Sequence, residues 1–451
     1  MTKKASKPTT LSSKKPLNKH MKKKIGMVSL GCAKNLVDSE MMLASFPGDR
    51  FEVTPKPEEA DVIIVNTCGF IEPAKKEAID TILEMASHKQ AKLIVTGCFV
   101  ERNLEELKKA IPEVDLWVPI RDYPKMNLLV SELLGEKGII KLNPMRRMIS
   151  TAPYFAYLRI SDGCDNFCSF CAIPYIRGRM KSRPLEEIVG EALILRSKGI
   201  KEIALVSQDP MHYGCDIKGG PNMVDLMSAL DKMGFYSIKV LYMYPEEVTD
   251  EELRFIKNSK SIDPYFDVPI QTASNKMLRL MNRHGTVEEM KTLFRKIKTM
   301  MPNAVLRTTL ITGFPGETKK EHEETVKFLE EIPFDHLGVF TFSREEGTAA
   351  YNMLHQVRSA TAIKRKDEIM TLAKKISYRL NKDRIGEVME GIVTGYDKKR
   401  DMYTLRSYWN APDDIDGNIY FYSTKMHKEG DIAKVRISSA MVYDLIGEET
   451  N

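Results

Sequence analysis

The sequence lacks a long apolar run, and it holds few cysteines. No stretch approaches the roughly 18 apolar residues that a membrane-spanning helix needs, and the lysine- and serine-rich start has no apolar segment of the secretory type. Seven cysteines among 451 residues do not suit a disulfide framework, which belongs to oxidising compartments. These absences predict a cytoplasmic protein without membrane contact, whose cysteines hold a metal or a cluster.

Positive charge is concentrated at the amino terminus. Residues 1–24 hold nine lysines and no acidic residue, while the whole chain has a net charge of +6, so the remainder is mildly acidic. The segment 1–22 has no apolar face to bury, which predicts a disordered lysine-rich arm. The arm is either an electrostatic contact for RNA or ribosomes or a solvated extension without a specific role.

The next segment, residues 23–135, alternates short apolar runs with amphipathic stretches. Strands are predicted at 25–30, 62–66 and 93–96, and helices near 36–46, 73–88 and 103–110. This rhythm is typical of a small parallel α/β sheet.

Residues 150–380 show a second alternation of strand-like and helical patterns. Strand-like runs occur at 155–160, 202–207, 238–243, 265–270, 304–311 and 336–342. Each of the first five is followed by a helical pattern, and the helix after the fifth opens with a capping box, Thr318 to Glu321. Six such strands predict a partial (β/α) barrel, with its chemistry at the carboxyl ends of the strands.

The sequence pattern changes in residues 383–449, which contain five short β-like runs between turn-forming residues. This pattern predicts a small antiparallel β-barrel. From residue 387 to the end there are 12 acidic and 8 basic residues. Asp413, Asp414 and Asp416 share one turn, where we expect their carboxylates to stay solvated.

The most specific motif is the C-x-x-x-C-x-x-C run of Cys164, Cys168 and Cys171, hereafter the second triad. It begins just past the first barrel strand, so it is expected at the barrel mouth. Three thiolates from one loop suit a 4Fe-4S cluster and leave one iron open, as a reactive site requires. The alternatives are a zinc site without its fourth ligand, or three unrelated buried cysteines.

Three further cysteines, hereafter the first triad, are dispersed: Cys32, Cys68 and Cys98. Each follows a predicted strand of the amino-terminal sheet, and the carboxyl ends of parallel strands lie side by side. A second three-cysteine cluster site is therefore predicted, and three ordinary buried cysteines are the alternative. Cys215 has no neighbour of this kind and is interpreted as a free thiol.

Together, the two triads, the partial barrel and the terminal β-barrel resemble the radical S-adenosylmethionine methylthiotransferases over about residues 23–449. Four segments resemble the branch that modifies an aspartate of small-subunit ribosomal protein twelve more than the transfer-RNA branch: residues 30–40, 161–165, 206–209 and 345–348. The resemblance implies a terminal barrel of the TRAM type.

This resemblance also implies cofactors and roles. The second triad would hold the 4Fe-4S cluster that binds and cleaves S-adenosyl-L-methionine, with Phe170 and Gln208 as cofactor-binding residues and Phe170 near the adenine. The first triad would hold an auxiliary 4Fe-4S cluster that carries the sulfur to be donated. No catalytic acid or base is named by the sequence.

The implied partners are small-subunit ribosomal protein twelve, free or in the ribosome, and an electron donor such as flavodoxin or ferredoxin. An acidic terminal barrel suits a basic protein better than phosphate. Two alternatives stay open: methylthiolation of an adenosine in transfer RNA, and a non-catalytic iron-sulfur carrier or electron-transfer protein.

Overall fold

A computed structural model describes residues 22–412 and 415–450. Most of the predicted lysine-rich arm, residues 1–21, and the predicted solvated pair Asp413 and Asp414 therefore lie outside the described residues. Within the described ranges, no helix is long and apolar enough to span a membrane.

The amino-terminal part is a five-stranded parallel sheet with the strand order β2-β1-β3-β4-β5. Its strands are β1 (Lys23–Ser29), β2 (Phe51–Val53), β3 (Val62–Thr67), β4 (Lys92–Gly97) and β5 (Leu116–Val118). Its helices are α1 (Ala33–Ser45), α2 (Glu72–Ala86), α3 (Cys98–Ala110) and α4 (Met126–Leu134). Every residue of β3 is buried, as expected for a parallel strand covered on both faces.

The three predicted strands and three predicted helices of this sheet are present, with ends that differ by up to five residues. The largest difference is in α3, which is kinked at Asn103, the residue where the predicted helix begins. Strands β2 and β5 were not predicted, because three residues are too few to show a hydrophobic period.

The central part contains six parallel strands in two three-stranded sheets, joined by a bridge between Ile238 and Ile262. These strands are β6 (Phe155–Arg159), β9 (Glu202–Val206), β10 (Ser237–Val240), β11 (Tyr265–Asp267), β12 (Val305–Thr312) and β13 (His336–Thr341). A two-stranded antiparallel sheet, β7 (Ser161–Asp162) and β8 (Lys181–Ser182), brackets the second triad. The six predicted strands and the partial barrel are thus confirmed.

Eight helices of the described residues accompany these strands. They are α5 (Ile173–Arg177), α6 (Leu185–Ser197), α7 (Met223–Asp231), α8 (Asp250–Asn258), α9 (Asn275–Leu280), α10 (Val287–Met300), α11 (Lys319–Glu331) and α12 (Ser359–Asp383). The predicted capping box of Thr318 and Glu321 opens α11.

Alternate residues of the barrel strands enter two different cores. On β6, Ala156 and Leu158 pack with the surrounding helices, whereas Phe155 and Tyr157 belong to a core that includes Met41 of α1 and Trp409 of the terminal part. Because successive strand side chains point to opposite faces, the inner face of the open barrel is covered by its two neighbours.

The terminal part is a closed barrel with the strand order β14-β15-β16-β18-β17. Its strands are β14 (Val388–Asp397), β15 (Met402–Ser407), β16 (Ile419–Tyr422), β17 (Ile432–Ala440) and β18 (Leu445–Glu449). The predicted small barrel is confirmed, but β16 and β18 pair in parallel while the other neighbours are antiparallel. An odd number of strands cannot alternate in direction around a closed ring, so one parallel pair is required.

The prediction that Asp416 stays solvated is wrong. Its side chain is 2% exposed, and it accepts hydrogen bonds from the Tyr265 hydroxyl at 2.5 Å, the Ala411 backbone N–H at 2.8 Å and the Arg307 Nε at 3.3 Å. These donors offset the cost of burying the carboxylate. Asp416 therefore anchors the terminal barrel to strands β11 and β12.

Candidate functional site: two cysteine triads

Asn35 on α1 organises the three strand ends that carry the first triad. Its side-chain amide donates to the carbonyls of Leu30 and Thr67, each at 3.0 Å. These carbonyls belong to the chain segments that lead into Cys32 and Cys68. The side-chain oxygen of Asn35 lies 3.5 Å from the Cys98 sulfur. One buried side chain thus contacts the chain at all three members of the triad.

Two glycines allow these strand ends to approach one another. Gly31 has φ +88°, and a Cβ on it would lie 2.6 Å from the Cys68 Cβ. Gly97 has φ +101°, and a Cβ there would lie 2.4 Å from the Asn66 side-chain oxygen. Any larger residue would clash and be strained at these backbone angles, so both glycines are required for the triad to form.

Burial governs the electrostatics of the first triad. It raises the pKa of Cys98 to about 12, against the opposing effect of the Arg177 charge. Burial also raises the pKa of Cys68, although a hydrogen bond from the Phe70 backbone opposes the shift. Bare thiolates are therefore disfavoured here, whereas coordination to a cationic metal centre would stabilise them.

The second triad lies on a loop held by polar contacts. The side chain of Asn282 donates to the carbonyls of Asn166 at 3.0 Å and Phe167 at 3.1 Å, and Phe167 has φ +46°. The Asn166 amide lies 3.6 Å from the Cys164 sulfur, and the Tyr244 hydroxyl lies 3.7 Å from the Cys168 sulfur. Two of the three thiols of this loop thus have a hydrogen-bonding side chain beside them.

The free thiols of both triads fit the thiolate ligands of an iron-sulfur cluster. In the part of the chain that the structure describes, no group of three His, Cys, Asp or Glu side chains is close enough to hold one ion. All six cysteines are free thiols, and N–H donors near ligand sulfurs are typical of cluster sites.

Lys34 lies between the triads. It is buried and donates to the Ser207 carbonyl at 3.0 Å. Burial lowers its pKa, while the nearby charges of Cys32 and Asp162 oppose that shift. Its own charge acts on Cys171, whose pKa burial raises to about 12. Lys34 thus joins α1, two residues after Cys32, to the segment that follows β9 of the barrel.

The two predicted cofactor-binding residues have different surroundings. Gln208 follows β9 and donates to the Asp162 carboxylate at 3.2 Å, while its carbonyl oxygen is buried without a hydrogen-bond partner among the described residues. Phe170 packs in an apolar cluster, with its ring centroid 6.4 Å from that of Phe314. Gln208 thus lies just past the carboxyl end of β9, whereas Phe170 lies in the second triad's own loop, between Cys168 and Cys171.

Sequence reasoning missed a polar chain beside the second triad. Asp209 accepts from the Asn166 amide at 2.7 Å and pairs with His212 Nδ1 at 2.8 Å. His212 Nε2 in turn lies 3.1 Å from Glu247. The sequence could have indicated these residues by their position, because Asp209 and His212 lie a few residues after β9 and Glu247 lies a few residues after β10.

Glu345 joins the amino-terminal sheet to the barrel. Its carboxylate is 2% exposed and accepts from the Glu72 backbone N–H and Lys75, each at 2.7 Å, and from Arg102 at 3.1 Å. Five residues later, the backbone N–H of Ala350 donates at 2.8 Å to the Ser169 carbonyl in the second triad's loop. We call residues 343–350 the strap.

Three protein-family models match successive parts of the chain. Residues 24–119 match the uncharacterized protein family UPF0004, residues 158–329 the radical SAM superfamily, and residues 385–449 the TRAM domain.

Close relatives match almost end to end and share one name, ribosomal protein uS12 methylthiotransferase RimO. The protein of Acetivibrio thermocellus is 43% identical over 450 residues, which cover 96% of this chain and 99% of that protein. That of Aquifex aeolicus is 44% identical, with 95% and 97% covered.

The fold is similar to a solved structure of TsrM, a radical S-adenosylmethionine methyltransferase from Kitasatospora setae with cobalamin and a [4Fe-4S] cluster bound. The two chains superpose with a TM-score of 0.56 and are 13% identical. The match covers 82% of this chain and 81% of TsrM. At that identity the likeness shows a shared fold.

Proposed function

Because the chain belongs to the ribosomal protein uS12 methylthiotransferases, enzymes of the radical S-adenosylmethionine superfamily, we propose that it transfers a methylthio group to the β-carbon of an aspartate in small-subunit ribosomal protein twelve. The observation that supports this most is the presence of two free-thiol triads, connected by the contact of Arg177 with Cys98. We infer two 4Fe-4S clusters, an auxiliary one at the first triad and one that binds S-adenosyl-L-methionine at the second.

The chain's own residues bind and orient in this proposal. When bound, the cofactors supply a sulfur source and a hydrogen-abstracting radical. Gln208 has a free buried carbonyl at the barrel mouth, which suits a donor group of S-adenosyl-L-methionine. Phe170 offers an aromatic surface for the adenine. Lys34 and Arg177 supply positive charge where thiolates and sulfide would concentrate negative charge.

The proposed partners follow from the same arrangement. The substrate is small-subunit ribosomal protein twelve, free or in the ribosome, and the electron donor is a protein such as flavodoxin or ferredoxin. The acidic balance of the terminal barrel favours a basic protein partner. Seven free thiols favour a reducing compartment, which we take to be the cytoplasm.

Mass spectrometry of two candidate substrates tests the proposal. Ribosomal protein twelve and bulk transfer RNA are isolated from cells with and without this chain. We expect a methylthio mass increment on one aspartate of the protein only where the chain is present. An increment on a transfer-RNA adenosine, with none on the protein, would instead establish the nucleic-acid alternative.

Incubation of the reduced, reconstituted protein with S-adenosyl-L-methionine tests the chemistry separately. We expect methionine and 5′-deoxyadenosine as products. A non-catalytic iron-sulfur carrier would contain iron and sulfide and would form neither product.

A further inference from the structure

Arg177 is the last residue of α5, a helix that begins two residues after Cys171. A helix of five residues is about 7.5 Å long, so α5 reaches from the second triad's loop toward the sheet. The Arg177 side chain is 2% exposed. A buried arginine needs a partner for each of its donors, and those partners identify what it does.

The four N–H bonds of the two terminal guanidinium nitrogens are all used. Nη1 donates to Asp38 at 2.8 Å and to Asp162 at 3.1 Å. Nη2 donates to the Asn35 side-chain oxygen at 2.6 Å and contacts the Cys98 sulfur at 3.7 Å. One end of the guanidinium is thus fixed by carboxylates, and the other faces the first triad.

The contact with Cys98 becomes more specific when the sulfur is a metal ligand. A thiol can donate to the Asn35 oxygen, 3.5 Å away, but a coordinated thiolate has no proton and only accepts. Nη2 supplies the N–H that such a thiolate would accept. Hydrogen bonds to ligand sulfurs raise the reduction potential of a cluster, because they stabilise the added negative charge.

We propose that Arg177 is a positioning residue which reaches from the second triad's loop to the first triad and raises the reduction potential of the auxiliary cluster through its bond to the Cys98 sulfur. This inference rests on the proposed function, because it requires a cluster at the first triad. It implies that the auxiliary cluster is tuned by a residue of the partial barrel rather than by its own domain.

Arg159 provides a matched control. It also contacts Asp38, at 2.5 Å, and Asp162, at 3.7 Å, and no hydrogen bond joins it to a triad sulfur among the described residues. Arg177→Lys keeps the charge and removes the planar fork that contacts carboxylates and sulfur together. Arg159→Lys changes the same carboxylate cluster and leaves the sulfur contact in place.

The potential is measured on full-length chains in which the second triad is replaced by alanine, so that only the auxiliary cluster gives a signal. Iron and sulfide are counted first. We expect Arg177→Lys to shift the midpoint potential to more negative values and Arg159→Lys to leave it unchanged. Equal shifts in the two variants, or no shift in either, would overturn the proposal.

A measurement without any substitution at Arg177 covers the case in which that variant fails to assemble. The same chain is labelled with guanidinium-¹⁵N arginine, and its reduced cluster is examined by pulsed electron paramagnetic resonance. We expect a ¹⁵N coupling from the contacting guanidinium, and its absence would refute the contact. If this chain binds no iron at all, the two-cluster function itself fails, whereas a cluster without the coupling refutes only the role of Arg177.

Discussion

Neutralising Glu345 should loosen the contact between sheet and barrel. Glu345→Gln keeps the size of the side chain and removes the charge that faces Lys75 and Arg102, whose side chains are 14% and 12% exposed. Removing one partner of a fully buried ion pair costs about 3–5 kcal/mol. Because both cations keep some solvent contact, we take the lower end, about 3 kcal/mol.

Hydrogen exchange is the appropriate assay, since a protein of several domains need not unfold in one step. The peptides to follow cover residues 72–75 and the strap. A local loss of about 3 kcal/mol corresponds to roughly a hundredfold faster exchange, because 1.4 kcal/mol is a factor of ten. Glu72→Gln is the control, since the Glu72 side chain is 77% exposed and contacts Lys75 at 3.5 Å.

The pH dependence supplies a second check. Burial by itself would raise the pKa of Glu345, but the hydrogen bonds from Lys75 and Ser343, together with the charges of Lys75 and Arg102, lower it. A carboxyl whose pKa is lower in the folded state contributes stability above its unfolded pKa, about 4.3, and loses it as pH falls through the folded value. The difference between wild type and Glu345→Gln should therefore shrink below about pH 4. Equal exchange in Glu345→Gln and Glu72→Gln at neutral pH would refute this account.

Three other predictions concern the triads, the terminal barrel and the arm. Replacing all three cysteines of the second triad with alanine should abolish cleavage of S-adenosyl-L-methionine and leave iron bound at the first triad. Replacing all three cysteines of the first triad should preserve cleavage and abolish methylthio transfer. A full wild-type content of iron and sulfide in either variant would contradict the presence of two cluster sites. Asp416→Asn should lower local stability by about 2 kcal/mol, because it weakens a charged hydrogen-bond network. Hydrogen exchange of residues 265–267 and 305–307 measures this loss, with Asp397→Asn as the control, since that carboxylate accepts from the backbone of its own turn. Deleting residues 1–22 should flatten the salt dependence of ribosome binding if the arm contacts RNA, and equal slopes would exclude that role.

Several features of the fold were predictable because they depend on short-range pattern. The apolar run Val62–Thr67 is a buried parallel strand, and the spacing of Cys164, Cys168 and Cys171 places three thiols on one loop whatever surrounds it. The positions of the first triad at strand ends could also be predicted from the sequence, because parallel strands bring their carboxyl ends to one edge of the sheet.

Other features depend on which distant segments meet. Strand β18 pairs with β16 in parallel because a closed ring of five strands needs one parallel pair. The sequence of a single strand does not indicate which neighbour it will pair with in this way. Its place in an acidic turn predicts a solvated Asp416, but Tyr265 and Arg307 from two other strands contact its carboxylate and bury it. Charge in a turn indicates exposure only when no partner approaches it.

The residues around the two triads also separate what the sequence pattern determines from what long-range contacts determine. The sequence by itself determined the six cysteines, the sheet that carries three of them and the barrel that carries the others. Only the tertiary structure decided that Asn35 contacts all three strand ends of the first triad, and that Arg177 reaches from one triad to the other. Local patterns follow from backbone periodicity, whereas these contacts arise when domains pack and every buried donor must find an acceptor.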